Sequence, residues 1–321
     1  MSHKCALTGE HRTGVRFGAR RDLRDAPVIV VTYNSSRFIG ECLRSLKQSG
    51  CPSVIVVDNH SADGTPDIVR TVSPDSTLIC NRRNLGFPAA VAMGVEATRD
   101  TPYFALLNPD TVVTEGWLSH LLEAADEDVG CAQGLLMHFD GTVDSAGGYV
   151  DKWGYPVELY KGRQVASLAS PRGEPYDVGY AKGAAALFRR EAYQAVGGFD
   201  QRFFFYYDET DLCYRLRRAG YRVVCAPKSV VYHADFSSEL PNKRLFAAYY
   251  MERNHLLFLW KNSPRRVLPA FVRSVAGMVL GKDSALLDTR RRAYEDFVKL
   301  VLNRRVAEPF SVTLLNGGHN A

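Results

Sequence analysis

The feature that most constrains this chain is an alternation in its first third. Short runs of β-branched and apolar residues alternate with segments whose apolar residues recur at helical spacing. Residues 27–33 (Pro-Val-Ile-Val-Val-Thr-Tyr), 53–58 (Ser-Val-Ile-Val-Val-Asp), 77–80 and 103–107 are the runs. Continuous apolar character of that length predicts strands buried on both faces. Between the first two, Phe38, Ile39, Cys42, Leu43 and Leu46 share one helical face, with Ser35 and Ser36 as candidate caps and Gly50 as the stop. Thr65-Pro66 opens a second helix, and residues 88–98 read as a third. Strands and helices alternating at this spacing imply parallel strands joined by crossovers. The predicted class is therefore α/β, a Rossmann-like, mostly parallel sheet flanked by helices.

Ligands on such sheets bind beyond the carboxyl ends of the strands. Here those ends carry Thr32-Tyr33-Asn34, Asp58-Asn59, residues 81–86 and Asn108-Pro109-Asp110. All four are polar, and two present an Asp.

From about Gly130 the pattern loosens into Gly-rich hairpins and a long polar loop reaching Pro175. Order returns at 180–189, in a helix over 208–219 and in a strand over 221–226. Beyond about residue 237 the chain turns to helices rich in Arg, Lys, Tyr and Leu. The expected organisation is a tail over 1–25, a main α/β domain over 26–236 that divides at about 130, and a helical extension over 237–321. The net charge of +5 is too small to argue for nucleic acid, which is not expected as a partner. Seven scattered cysteines with no CxxC pair predict reduced thiols and a cytoplasmic location. The N-terminal residues hold no apolar secretory segment, and no run approaches the ~20 apolar residues of a membrane span.

Four constellations carry chemistry. Asp110 sits on a tight turn after an apolar strand, where a carboxylate can hold Mg²⁺ together with substrate phosphates; the same residue could simply cap the next helix. Asp58 can accept a hydrogen bond from a pyrimidine N–H or merely close its own turn with Asn59 and Ser61. Asp208, Glu209 and Asp211 open a helix after the aromatic run 203–207. Capping and the macrodipole explain one or two acids there, not three. One of them could deprotonate a hydroxyl. His233, ending Val230-Val-Tyr-His, can ligate a metal through neutral imidazole or serve the core.

Taken together these segments resemble glycosyltransferase family 2, with its GT-A fold. The matching stretches are 29–34, 56–59, Asn84-Leu-Gly-Phe87, 106–111, Gly197-Gly-Phe-Asp200, 203–221 and 230–233, in the family's order. Among its members the spacing most resembles rhamnosyltransferase-like ones. The resemblance implies an inverting transfer of a sugar from a nucleoside-diphosphate donor, dTDP-rhamnose-like or a UDP-sugar. The acceptor would be a hydroxyl of a glycan or lipid-linked glycan, as in polysaccharide and cell-wall synthesis. It places Thr32, Tyr33, Asn34, Asp58, Asn59, Arg83, Asn84, Gly86, Phe87 and Asn108 around the donor. Asp110 and His233 would hold Mg²⁺ or Mn²⁺. Glu209 matches the general base, with Asp208 beside it as the other acid of the pair. Specificity is expected in the loops of 153–175 and around Gly183.

A nucleotidyltransferase shares fold and metal but wants a Gly-rich phosphate loop after the first strand, where this chain has Asn34-Ser35-Ser36. A catalytically inactive nucleotide-sugar-binding protein would bind donor without turnover. The C-terminal helices mix Leu245, Phe246, Tyr249, Tyr250, Leu256, Leu257, Phe258, Leu259 and Trp260 with Lys243, Arg244, Arg253, Lys261, Arg265 and Arg266. A second basic cluster, Arg290 to Arg292, Lys299, Arg304 and Arg305, follows. That mixture suits peripheral contact with the inner face of a membrane, or a homodimer interface.

Overall fold

The computed structural model describes residues 22–98, 100–165, 173–234, 243–279, 283–304 and 306. Most of the expected tail, part of the 153–175 loop, the start of the extension and Arg305 lie outside the described residues.

The alternating pattern folds as β1 (Val28–Thr32), α1 (Ile39–Gln48), β2 (Val54–Asp58), α2 (Thr65–Val72), β3 (Thr77–Cys80), α3 (Phe87–Ala97) and β4 (Tyr103–Leu107). There follow β5 (Thr111–Val113), α4 (Trp117–Ala124), β6 (Val129–Met137), β7 (Val143–Ser145), β8 (Gly148–Val150), β9 (Pro156–Glu158), β10 (Tyr176–Asp177) and β11 (Ala185–Arg189). α5 (Arg190–Ala195), α6 (Asp208–Arg218) and β12 (Arg222–His233) complete the sheet region, and α7 (Lys243–Asn262), α8 (Val267–Val279) and α9 (Ser284–Val301) come last.

One ten-stranded sheet runs in the order β10-β12-β6-β11-β4-β1-β2-β3, with β5 on β12 and β7 on β6. It is parallel through β3, β2, β1 and β4, as the crossovers require. Beyond β4 it is mixed, because β11 inserts antiparallel between β4 and β6. Ile39, Cys42, Leu43 and Leu46 of α1 are buried against one face of the sheet. Each such side chain contributes ~1.5–3 kcal/mol on leaving water. Ser35 and Ser36 do not cap α1 through their side chains. Ser35 instead offers its carbonyl to the N–H groups of Phe38 and Ile39, both at 3.0 Å.

The sequence suggests two segments where the fold has one long strand, β12. Its register against β6 jumps between Ala226 and Val230. Pro227 falls in that gap, and proline has no N–H for the ladder, so the strand bulges there. Ser229 is pressed toward β6, where a Cβ on Gly134 would lie 2.8 Å from the Ser229 carbonyl. Past the bulge β12 pairs with β5, placing His233 opposite Thr111.

The C-terminal helices correct one expectation. Phe246, Tyr249, Tyr250 and Leu256 to Leu259 of α7 are buried, packed with Phe203, Tyr207 and α9 rather than offered to lipid. Arg253 is buried too, and Lys261 pairs with Asp200 and Asp211 at 2.7 and 2.8 Å. An amphipathic pattern names an apolar face but not its partner. For α7 that partner is protein.

Candidate active site

The β5–β12 pairing brings the two metal candidates together. His233 Nε2 lies 3.4 Å from Asp110 Oδ1. On its other side, Nδ1 is 2.8 Å from Oδ2 of Asp144, a fully buried carboxylate on β7. The same oxygen accepts Lys182 Nζ at 2.7 Å. Burial works against a charged imidazole, but the two flanking carboxylates outweigh it and raise His233 to about 9. Burial likewise opposes ionisation of Asp144, and His233 with Lys182 overcomes it, holding the carboxyl well below its usual range. A carboxylate behind a histidine, fixing which nitrogen faces forward, is the support a metal-ligating imidazole generally has. Among the described residues no three His, Cys, Asp or Glu side chains converge as a metal cage. Mg²⁺ commonly takes one or two carboxylates with the rest left to phosphate and water, which Asp110 fits directly, whereas His233 would have to shed its raised proton to ligate.

The three acids of α6 have three different fates. Asp211 is consumed by structure: Arg215 Nε and Lys261 Nζ reach its Oδ2 at 2.8 Å, and Asn262 Nδ2 its Oδ1 at 3.0 Å. Asp208 is buried, with Oδ2 unpartnered. Burial first, then the neighbouring Glu209 charge, raises it well above the ordinary carboxylate value. Glu209 is half-buried and accepts the Gly183 N–H at 3.2 Å through one oxygen.

The loop that delivers α6 is unusual. Phe204, Tyr206 and Tyr207 have φ of 63°, 65° and 66° without being glycine. Positive φ costs an L-residue ~1–2 kcal/mol each. The Phe205 N–H closes onto the Phe203 carbonyl at 2.7 Å, a tight γ-turn about Phe204.

A cavity of about 150 Å³ joins these parts, lined by Asn108, Asp110 and His233 on one side and Asp208 and Glu209 on the other. Phe87, Lys182, Ala184, Phe205 and Tyr206 complete its wall. That is below the ~300 Å³ or more of a site enclosing a whole small ligand.

The other expected donor contacts lie apart from the cavity, beyond β1–β3. Thr32, Asp58 and Asn59 are buried and mutually engaged. Asp58 accepts Thr32 Oγ1 at 2.8 Å, Ser61 Oγ at 2.6 Å and the Ser61 N–H at 2.9 Å. Asn59 donates to the Gly86 carbonyl at 3.1 Å and accepts Asn81 Nδ2 at 2.9 Å. Asn34 accepts the Ala62 N–H at 2.9 Å, and Asn84 the Gly86 N–H at 2.9 Å. Tyr33 is half-buried and Arg83 exposed at the rim. Asp144 and Lys182 went unnoticed in the sequence: Asp144 sits in a Gly-Thr-Val-Asp-Ser stretch that reads as turn, and Lys182 precedes an apolar strand with no periodic signal.

Fold and site together define a GT-A-type enzyme that handles nucleotide sugars. Residues 28–197 match the model for "Glycosyl transferase family 2". The chain belongs to that family and is a nucleotide-sugar-dependent glycosyltransferase. It is 31% identical over 236 residues to the Mycobacterium tuberculosis N-acetylglucosaminyl-diphospho-decaprenol L-rhamnosyltransferase, spanning 64% of this chain and 75% of that one. In fold it is similar to S. aureus TarS 1–349 solved with UDP-GlcNAc, at TM-score 0.53 and 16% identity over 86% of this chain and 81% of that one. GalNAc-T7, solved with UDP, GalNAc and Mn²⁺, aligns at TM-score 0.51 and 13% identity, covering 87% of this chain and 56% of that protein.

Proposed function

We propose that the protein is an inverting glycosyltransferase that requires a divalent metal. It moves a sugar, rhamnose foremost, from a nucleoside-diphosphate donor to a hydroxyl of a lipid-linked glycan. The observation that carries this reading is the division of one cavity between the Asp208–Glu209 pair, of which Glu209 is the half-buried member, and the Asp110–His233 pair. Tyr33, Asn34 and Arg83 would flank the nucleoside, with Asp58 braced by Thr32 and Ser61 behind them. Asp110 and His233 would hold Mg²⁺ or Mn²⁺, with Asp144 fixing the imidazole. That ion supplies charge neutralisation for the departing diphosphate. Glu209 takes the proton from the acceptor hydroxyl, whose oxygen attacks the anomeric carbon on the face away from the nucleotide. Burial and the Glu209 charge push Asp208 toward its neutral form, which leaves Glu209, the more exposed of the pair, to accept the proton. A single displacement inverts the anomeric centre and needs no covalent enzyme intermediate. The mycobacterial relative's name supports rhamnose and a polyprenyl-diphosphate acceptor. The test is to offer dTDP-, UDP- and GDP-sugars with an N-acetylglucosaminyl-diphospho-lipid. Transfer from dTDP-rhamnose with inverted configuration is expected, and donor binding without any product would leave an inactive binding protein.

For location, the surface left after α7 is withdrawn is α8. No helix among the described residues is long and apolar enough to cross a membrane. Leu268 and Val272 are 69% and 58% exposed on α8, beside exposed Phe271, Arg265, Arg266 and Arg273. Trp153, under the Arg273 guanidinium at 4.6 Å, extends the patch. Basic residues ringing exposed Leu, Phe and Trp suit an anionic bilayer surface, where the lipid-linked acceptor would reside. Sedimentation with anionic vesicles at low salt should retain the protein. Leu268→Glu with Val272→Glu should release it, and wild-type protein that ignores the vesicles would overturn the reading.

A further inference from the structure

We propose that Asn254, on α7, is a positioning residue for sugar transfer: it holds residues 203–207 in the backbone conformation that presents Phe205, Tyr206 and Glu209 to the cavity. The proposal rests on the transfer reaction proposed above, and on Glu209 as its base for one arm of the test.

Three of the five residues in this aromatic segment have positive φ, and none is glycine. Local preference therefore pulls the segment elsewhere, and something outside it must impose the shape. Asn254 does so. It is fully buried, and its Nδ2 lies 2.9, 2.8 and 2.8 Å from the carbonyls of Phe203, Phe205 and Tyr206. Those carbonyls converge because the chain winds backward through the strained residues. A donor group satisfies them there, where an apolar one would offer them nothing.

The amide itself is oriented. Arg253 Nε donates to Asn254 Oδ1 at 2.8 Å, which turns the NH₂ toward the loop. Arg253 Nη2 adds the carbonyls of Arg202 and Phe203 at 2.9 and 2.6 Å. On the opposite side the Phe204 carbonyl accepts the Phe87 N–H at 2.8 Å, at the start of α3. A Cβ on Gly86 would lie 2.5 Å from the Phe204 ring, so the loop and the donor-side turn are in direct contact. Tyr207 is the residue before α6. The direction in which Glu209 leaves the helix is thus set by where these carbonyls are pinned. A buried amide serving three carbonyls is more than packing needs, since a leucine would fill the space. The hydrogen bonds are what the position supplies.

Asn254→Asp keeps shape and replaces donors with an acceptor facing three carbonyls. With dTDP-rhamnose and the lipid-linked acceptor, kcat should fall by roughly 10²-fold, the scale of an ångström-level misplacement. The donor KM and dTDP affinity should stay within about threefold, because the loop meets the donor-side turn at Gly86 and Phe87 while Asn34 and Asp58 are held by Thr32, Ser61 and Ala62. Should Asn254→Asp fail to fold, Asn254→Ser, which retains one donor, carries the same comparison. In a Glu209→Gln background the Asn254 change should alter residual transfer by less than about threefold, since its effect runs through the missing base. A folded Asn254 variant with wild-type kcat would overturn the proposal. So would kcat and dTDP binding falling together, or full additivity with Glu209→Gln. If Glu209→Gln alone is fully active, the base assignment fails and Asn254 stands or falls on the split between kcat and KM.

Discussion

Glu209→Gln is expected to lower kcat by roughly 10²- to 10⁴-fold, the range for loss of a general base, while dTDP binding stays near wild type. The amide keeps the size of the carboxylate and can still accept the Gly183 N–H now 3.2 Å from Oε1. Only the capacity to take a proton is lost. The neighbouring acids are built-in controls. Asp208 is buried and pushed toward its neutral form, so Asp208→Asn should retain more of the transfer than Glu209→Gln. Asp211 holds Arg215, Lys261 and Asn262, so Asp211→Asn should lower the melting temperature more than kcat of the folded fraction. An inactive Asp208→Asn beside an active Glu209→Gln would move the base by one residue.

Asp110→Ala should be comparably severe. Its carboxylate faces His233 Nε2 at 3.4 Å, and the pair is the cavity's best match to a divalent ion that phosphate oxygens complete. Removing it leaves His233 held by Asp144 alone. We expect kcat to fall by about 10²-fold or more, as when a donor to transition-state charge is removed elsewhere. The fold should persist, because Asp110 lies in a turn whose β5 pairing uses backbone. Excess chelator should abolish wild-type transfer and Mn²⁺ should restore it. Undiminished activity in chelator would refute metal dependence.

Much of this site was legible in sequence because strand ends on an α/β sheet are recognisable without coordinates. Asp110, His233 and the acidic cluster 208–211 stand out by strand-end and helix-start position, with Glu209 singled out only by the family resemblance, and Asp110, Glu209 and His233 line one cavity. Thr32, Asp58 and Asn59 were named the same way, yet they bond chiefly to one another and to the adjoining loops. A polar residue at a strand end is visible in sequence, but whether its hydrogen bonds are spent internally is not. The distinction between Asp208, Glu209 and Asp211 was equally hidden. It depends on burial and on Lys261 and Asn262, some fifty residues later in the chain.

The sequence by itself determined the β1–β4 crossovers, because period and composition are local properties that write a parallel sheet directly. It also determined the order of the acidic and histidine positions along the chain. Tertiary structure decided what those positions meet. The bulge at Pro227 bends β12 so that His233 reaches Asp110. β7 brings the buried charge of Asp144 behind it. α7, read from its pattern as a candidate lipid surface, instead turns Arg253 and Asn254 inward to pin a strained loop. Each of these depends on the partner found by a group that local pattern leaves open, and only packing of distant segments supplies that partner.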